Sequence, residues 1–302
     1  MKKLSILFLG LFFLTSCEKE DILPTPIAPN PQNPIVKVDP FAALPKETAI
    51  PDSNFEKVLI EKGLDLILDG KVTTSNVCYL SEFKLIDSKN IQSIKGIESF
   101  ISLNKLWIEH QLLKDIDITK NINLTLLSLW DNPLTQIDLS KNTKLTILGL
   151  SEVNMSTIDL SNNVDLEEIA FQNGEGKGYG TTKGFTSLDL THNVNLKRVY
   201  VWKNRITELD LTMCPKLSDI WFSDNPQMTS LKLAPTQNLK MVIGWNTGLE
   251  SLDLKGSLPY SIATQNSPKL KSIRITNLMW INTAVANNPS AYTKDSHTMY
   301  VE

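Results

Sequence analysis

Three histidines and three cysteines are all that this 302-residue chain offers as soft metal ligands or strong nucleophiles. His110, His192 and His297 lie far apart, and no HExxH, paired CxxC or serine nucleophile elbow accompanies them. No catalytic residue, metal site or cofactor is therefore expected. Basic charge is scarce as well: 30 Lys and Arg stand against 33 Asp and Glu, a net charge of −3. Nucleic acid would want a basic face, so that partner is not expected either. Beyond the first residues no apolar run is long enough to span a bilayer. Glycine concentrates in NGEGKGYGTTKG, Asn173 to Gly184, which lacks the GxxxxGK[ST] order that cradles phosphate and reads as an insertion.

What is present begins with a targeting segment at residues 1–16. Lys2 and Lys3 precede an almost unbroken apolar run from Leu4 to Leu14, too short to cross a membrane and right for a signal-peptide core. The run ends in Leu14-Thr15-Ser16-Cys17, which resembles the lipobox of bacterial lipoproteins. That resemblance implies cleavage before Cys17, a diacylglycerol on its sulfur and an acylated new amino terminus, hence membrane attachment through several chains. Glu18-Lys19-Glu20-Asp21 resembles the surface-export signal of lipoproteins in one large group of Gram-negative bacteria, which implies an outer-membrane lipoprotein facing the cell exterior. Loss of Lys2 and Lys3 on cleavage leaves a mature chain of charge −5. Residues 17–50 read as a tether, acidic and then rich in proline (Pro24, Pro26, Pro29, Pro31, Pro34, Pro40, Pro45). At ~3.1 Å per residue in polyproline form its proline-rich part, residues 22–50, reaches at most about 90 Å.

Residues 51–79 read as an amino-terminal cap with one helix. Ser53-Asn54-Phe55-Glu56 has capping-box spacing, and Gly63 is a helix stop. From residue 80 to 276 a unit recurs, typified by LTLLSLWDNPLTQIDLSKNTK at residues 124–144. Units start at Leu103, Leu124, Leu145, Leu166, Leu196, Leu217, Leu239 and Leu270, spaced by 21, 21, 21, 30, 21, 22 and 31 residues. The longer spacings are expected to hold insertions near 173–184 and 256–268, and residues 277–302 a carboxy-terminal cap. Apolar residues at places 1, 4, 6 and 11 with asparagine near 9 make the pattern resemble leucine-rich repeats, and the helical block before it resembles the start of leucine-rich-repeat surface lipoproteins. The fold class expected is a mainly β repeat solenoid, with parallel strands on a concave face, short extended segments opposite and a small helical cap.

Alternation in Leu127-Ser128-Leu129, Val199-Tyr200-Val201 and Ile220-Trp221-Phe222 is strand-like, one face buried and one free. Asn132, Asn204 and Asn225 are placed to bond backbone where the chain leaves each strand. A second motif, as in Ile116-Asp117-Ile118 and Leu188-Asp189-Leu190, predicts short extended structure on the opposite side. Asn121, Asn142, Asn163 and Asn193 form another ladder, with Cys214 at the same place, so a structural role is expected for that cysteine and no disulfide with Cys78.

Aromatic residues carry the functional reading. Places 3, 5, 7 and 8 should face solvent, and five of six tryptophans fall there: Trp107 and Trp221 at place 5, Trp130, Trp202 and Trp245 at place 7, with Tyr200 also at place 5. Ser128, Gly149, Ser151, Ala170 and Gln172 lie between, predicting two aromatic walls around a low centre. Asp131, Lys203 and Asp224 adjoin them as candidate polar contacts, together with Gln172 and Asn246. Large exposed aromatic patches commonly mark binding sites. The face suits a protein partner in adhesion or assembly, for which Trp and Tyr are favoured anchors. It also suits a polysaccharide, whose sugar rings dock on aromatic faces. A purely structural alternative is that the rings stack on one another and steady the sheet. The carboxylates Glu109, Asp131 and Glu152 recur at neighbouring places and read as solvated charges.

Overall fold

A computed structural model describes Phe41 and residues 43–173, 184–236 and 238–302. The signal segment, Cys17, most of the tether and nearly all of the glycine-rich insertion lie outside the described residues.

Among the described residues the first strand falls before the expected tether boundary at residue 50. Strand β1 (Glu47–Ala49) pairs antiparallel with β2 (Lys71–Thr73), and between them runs helix α1 (Ser53–Glu61). The tether gives way to the cap here because Thr48 and Ile50 point inward, and the Thr48 hydroxyl meets that of Thr74 at 2.8 Å. The helix is capped by Asp52 and not by Ser53, since its Oδ1 accepts from the Asn54 and Phe55 N–H groups at 2.9 and 3.2 Å. Oδ2 of the same residue accepts from Gln92 and Ser93 N–H at 2.7 and 3.0 Å, which ties the cap to the first repeat. Glu56 closes no capping box. Its buried carboxylate turns inward and accepts from the N–H groups of Asp69, Gly70 and Lys71. Gly63, at φ 71°, ends the helix as expected, with Leu64 N–H reaching back to the Leu59 carbonyl. Phe55, Phe83 and Phe100 meet under the helix and cover the first apolar layer of the repeats.

The repeats then lay down parallel strands in register: β3 (Glu82–Leu85), β4 (Lys105–Ile108), β5 (Leu126–Ser128), β6 (Ile147–Gly149), β7 (Glu168–Ala170) and β8 (Arg198–Tyr200). From there strands alternate between two sides. β9 (Glu208–Leu211), β11 (Ser230–Leu233), β13 (Ser251–Asp253) and β15 (Ser272–Arg274) lie opposite the long sheet; β10 (Asp219–Trp221), β12 (Met241–Ile243) and β14 (Ser261–Ala263) extend it. After helix α2 (Leu278–Asn287), β16 (Tyr292–Thr293) adds the tenth strand to the long sheet, and β17 (Met299–Val301) joins β15. The result is the mainly β leucine-rich-repeat solenoid expected from the spacing. The extended opposite side is there too: no helix interrupts the described repeats between β3 and β15 apart from one short 3-10 turn at Ile97–Ser99.

One expectation fails. Residues 256–268 are no insertion: they carry β14, whose Ile262 pairs with Val242, so a regular turn of the solenoid sits there. Leu270 consequently matches Leu249 on the opposite side and does not start a unit, as the pairing of Leu252 with Ile273 shows. The turn escaped the leucine frame because Pro259 stands where leucine opens the other units and Thr264 stands at a place that is apolar in most of them.

Seven of the described turns leave their strand through one residue at positive φ: His110, Asp131, Glu152, Lys203, Asp224, Asn246 and Asn266 lie between 53° and 59°. The next residue pays for that bend. Asn132 donates to the carbonyls of Ile108, Leu129 and Trp130 and accepts from Leu113 N–H, and Asn225 repeats the arrangement around Val201, Phe222, Ser223 and Ile206. On the far side Asn142, Asn163 and Asn193 each donate to two carbonyls of the preceding turns, and Cys214 takes the next rung with Sγ 3.7 Å from the Asn193 carbonyl. Core residues compensate between turns as well: a Cβ on Gly244 would stand 2.1 Å from the Phe222 ring, so the glycine makes room for the larger neighbour.

Candidate functional site

The outward face of the long sheet holds every aromatic residue singled out in the repeats, in the two groups expected. Trp107, between buried Leu106 and Ile108 on β4, lies under the Lys84 ammonium, 5.7 Å from the ring centroid. Trp130 follows β5 and meets the His110 imidazole at 5.7 Å, and His110 Nδ1 is 2.9 Å from Asp131 Oδ2. Four strand steps from Trp107, at ~4.8 Å each about 19 Å, and three from Trp130, stands the second group. Trp202 and Trp221 stack at 4.5 Å with their planes 15° apart, Trp245 meets Trp221 edge-on at 5.5 Å, and Tyr200 meets Trp202 edge-on at 6.3 Å. Between the groups Ser128, Gly149 and Ala170 are in-register neighbours, a low floor with no large side chain at that place.

The placement differs from full exposure for the aromatic and the polar residues alike. All five tryptophans are half-buried, because the rings cover one another or take a cation over one face. Tyr200 is only 4% exposed, held between Ala170 and Trp221 on the neighbouring strands. Burial first, and then the Asp219 and Glu168 carboxylates, push its hydroxyl well above the usual tyrosine range. Asp131 is 8% exposed and engaged with His110, so it braces that imidazole and offers little to a ligand. Lys203 and Asp224 are half-buried at the positive-φ bends, where Asp224 Oδ1 accepts from Asn246 Nδ2 at 2.8 Å. Gln172 is buried too. The polar residues chosen beside the aromatics thus owe their positions to the turn that ends each strand, a local geometry that a solvent-facing assignment overlooks.

The sequence reading also missed the polar ties that brace the face. Ser128 Oγ donates to Glu109 Oε1 at 2.5 Å, and Arg198 Nε pairs with Glu168 Oε2 at 2.5 Å across β8 and β7. The Arg198–Glu168 pair was findable: both residues occupy place 3 of consecutive units, and the insertion between them hides the alignment. Ser223, fully buried, accepts the Trp221 indole N–H at 3.0 Å, which orients that ring, and the Trp245 backbone N–H at 3.2 Å.

Among the described residues no group of three or more His, Cys, Asp or Glu side chains is arranged to hold a metal ion. Cys78 and Cys214 are both buried, and no disulfide joins them. Burial pushes the Cys214 thiol up to about 11, so it stays protonated near neutral pH and is a poor nucleophile. No described helix is long and apolar enough to cross a membrane.

Searched against protein-family models and against curated proteins, the sequence matches neither. Solved structures do align with the chain. The functional domain of InlJ from Listeria monocytogenes, which includes a cysteine ladder, is 17% identical, with 82% of this chain and 80% of that one covered and a TM-score of 0.35. The internalin InlF from Listeria monocytogenes is 16% identical over 84% and 96% of the two chains, TM-score 0.34. Internalin C2 of the same species is 13% identical over 84% and 98%, TM-score 0.35. Superposition at these scores is partial, and the assignment to a leucine-rich-repeat solenoid stands on the strand register and the repeated turns described above.

Proposed function

We propose that this chain is a lipid-anchored surface protein that binds a protein partner on the outward face of its long sheet. The observation that carries the reading is the covered state of Trp221. One face of its ring lies against Trp202 at 4.5 Å, and Trp245 meets it in an edge-to-face arrangement at 5.5 Å. A sugar ring docks on an open aromatic face, and here Trp202 and Trp221 each cover one face of the other in a half-buried ridge. Ridges of half-buried tryptophan fit clefts in a folded partner, and such rigid aromatic anchors dominate interface energies. The ridge beside the low floor of Ser128, Gly149 and Ala170 offers relief that a protein surface can complement. Attachment through Cys17 and the tether would hold this face outside the cell.

The test uses a photoreactive residue at Ile243, which neighbours Trp221 in register, with a control at Asp117 on the opposite side. A discrete protein adduct from position 243 alone is expected in intact cells. Trp202→Ala/Trp221→Ala, with its fold checked by circular dichroism, should abolish the adduct and weaken binding of the purified partner by about 30-fold or more. If no adduct forms and the chain is instead retarded in gels containing a polysaccharide, with the retardation lost in the double variant, the partner is a glycan.

A further inference from the structure

Leu66, Ile67 and Leu68 form an uninterrupted aliphatic run between α1 and β2, and they are 87%, 65% and 50% exposed. The other large apolar side chains exposed among the described residues stand one at a time along the chain, which is ordinary for a soluble surface. Three in succession are not, and such runs mark contact with something apolar.

The turn is held in shape without help from those side chains. Asp65 Oδ1 accepts the Leu66 N–H at 2.8 Å, Asn76 Nδ2 donates to the Leu64 carbonyl at 3.0 Å, and the Glu56 carboxylate grips the exit through three N–H groups. The run is therefore presented at a fixed place, and that place adjoins the entry of the amino-terminal segment. The turn feeds into β2 at Lys71, which pairs with Ala49, while the chain arrives at Glu47 on the same short ribbon. At ~3.3 Å per residue, the tether entry at Glu47 lies about 7 Å along the ribbon from the Ala49–Lys71 pair, and Leu68 stands three residues, at most about 10 Å, beyond that pair.

We propose that Leu66-Ile67-Leu68 dips into the lipid surface to which the tether is attached, seating the amino-terminal cap on the membrane. The proposal rests on the lipid anchor at Cys17. Asp65 and Asp69 flank the run, and Lys71 is already paired with Glu47 at 2.7 Å, so anionic headgroups would be repelled and zwitterionic ones are the fitting surface. Three aliphatic side chains bind an interface only weakly alone. Tethering makes the contact intramolecular, and the resulting effective concentration turns a weak contact into a lasting one.

An environment-sensitive fluorophore at Ile67→Cys tests this, with Tyr260→Cys as the distant control. Tyr260 is 59% exposed and precedes β14, eight strand steps or about 38 Å along the sheet from β3. Buried Cys78 and Cys214 leave the introduced thiol as the labelled one. The lipidated chain is reconstituted in phosphatidylethanolamine–phosphatidylcholine vesicles containing doxyl-labelled lipid. A blue shift and quenching at position 67, with neither at 260, is expected, and both should diminish when an anionic lipid replaces part of the zwitterionic one. A chain that floats with the vesicles while position 67 keeps its aqueous emission overturns the proposal and leaves the anchor standing. A blue shift at 67 that grows with protein concentration and ignores the quencher assigns the run to a second copy and overturns it as well. If the chain does not float, the anchor reading fails by itself. The chain from residue 17 carrying Cys17→Ser is then titrated with millimolar zwitterionic lipid, where an unquenched position 67 overturns the proposal and a quenched one sustains it.

Discussion

A single side chain in this protein answers for backbone groups in several turns at once. Asn163 is fully buried and donates to the Leu139 carbonyl at 3.1 Å and the Asn142 carbonyl at 2.9 Å. Its Oδ1, like those of Asn121, Asn142 and Asn193, is buried without a partner, which offsets part of what the two bonds contribute. Asn163→Ala removes both donors and leaves buried carbonyls short, so a loss of about 1–3 kcal/mol is expected by urea unfolding. Cys214→Ala, at the same place in a later turn, gives up one weak sulfur contact of 3.7 Å and should cost clearly less. Equal losses at the two sites would mean that shape and not hydrogen bonding holds the ladder together.

At the scale of elements, the cap depends on one inward carboxylate. Glu56 is 2% exposed and accepts three backbone N–H groups, so Glu56→Ala strands those donors and should destabilise the cap by about 3 kcal/mol. Hydrogen exchange should show faster amides at residues 69–71 while strands β5 to β8 keep their protection. The opposite side of the repeats has its own recurrent device. Asp117, Asp159, Asp189 and Asp210 are held below the usual carboxylate range by the hydroxyl and then the N–H two residues on, and Asp138 by the N–H and then the hydroxyl of Ser140. A lowered folded pKa contributes stability that is present above the unfolded value, about 3.9, and is lost as pH falls through the folded one. Urea midpoints should therefore drop on acidification below about pH 4, and less steeply in Asp117→Asn/Asp138→Asn/Asp159→Asn.

Over the whole molecule, stability passes from turn to turn, since each repeat buries its apolar layer only against its neighbours. The last turns show what ends the chain of contacts. α2 sends Ile281 into the core, while β16 and β17 pair with β14 and β15. A chain truncated after Thr276 bares Ile262, Ile273 and Ile275 and unpairs two sheet edges, so aggregation is expected in light scattering. A soluble truncation with a cooperative melt would show that the final layer needs no cover. The number of turns was only partly legible in the sequence. Leucine at place 1 marks most of them, but the turn of β14 uses Pro259 there and was passed over.

What the sequence determined by itself was the repeat, its period and its two sides. A side chain every second residue must face one way, and units too small to bury a core must stack. The same spacing put Trp107, Trp130, Trp202, Trp221 and Trp245 on the outward face, and there they are. Only the tertiary structure decided how much of each ring is open, because Trp202 and Trp221 meet through neighbouring turns and cover each other at 4.5 Å. It likewise decided that Asp131 is buried against His110, that Glu56 serves a turn and not a helix end, and that β14 is a strand and not an insertion. In each case the deciding contact joins residues at least 13 positions apart, and a local pattern carries no information about a partner that only the folding of the chain brings near.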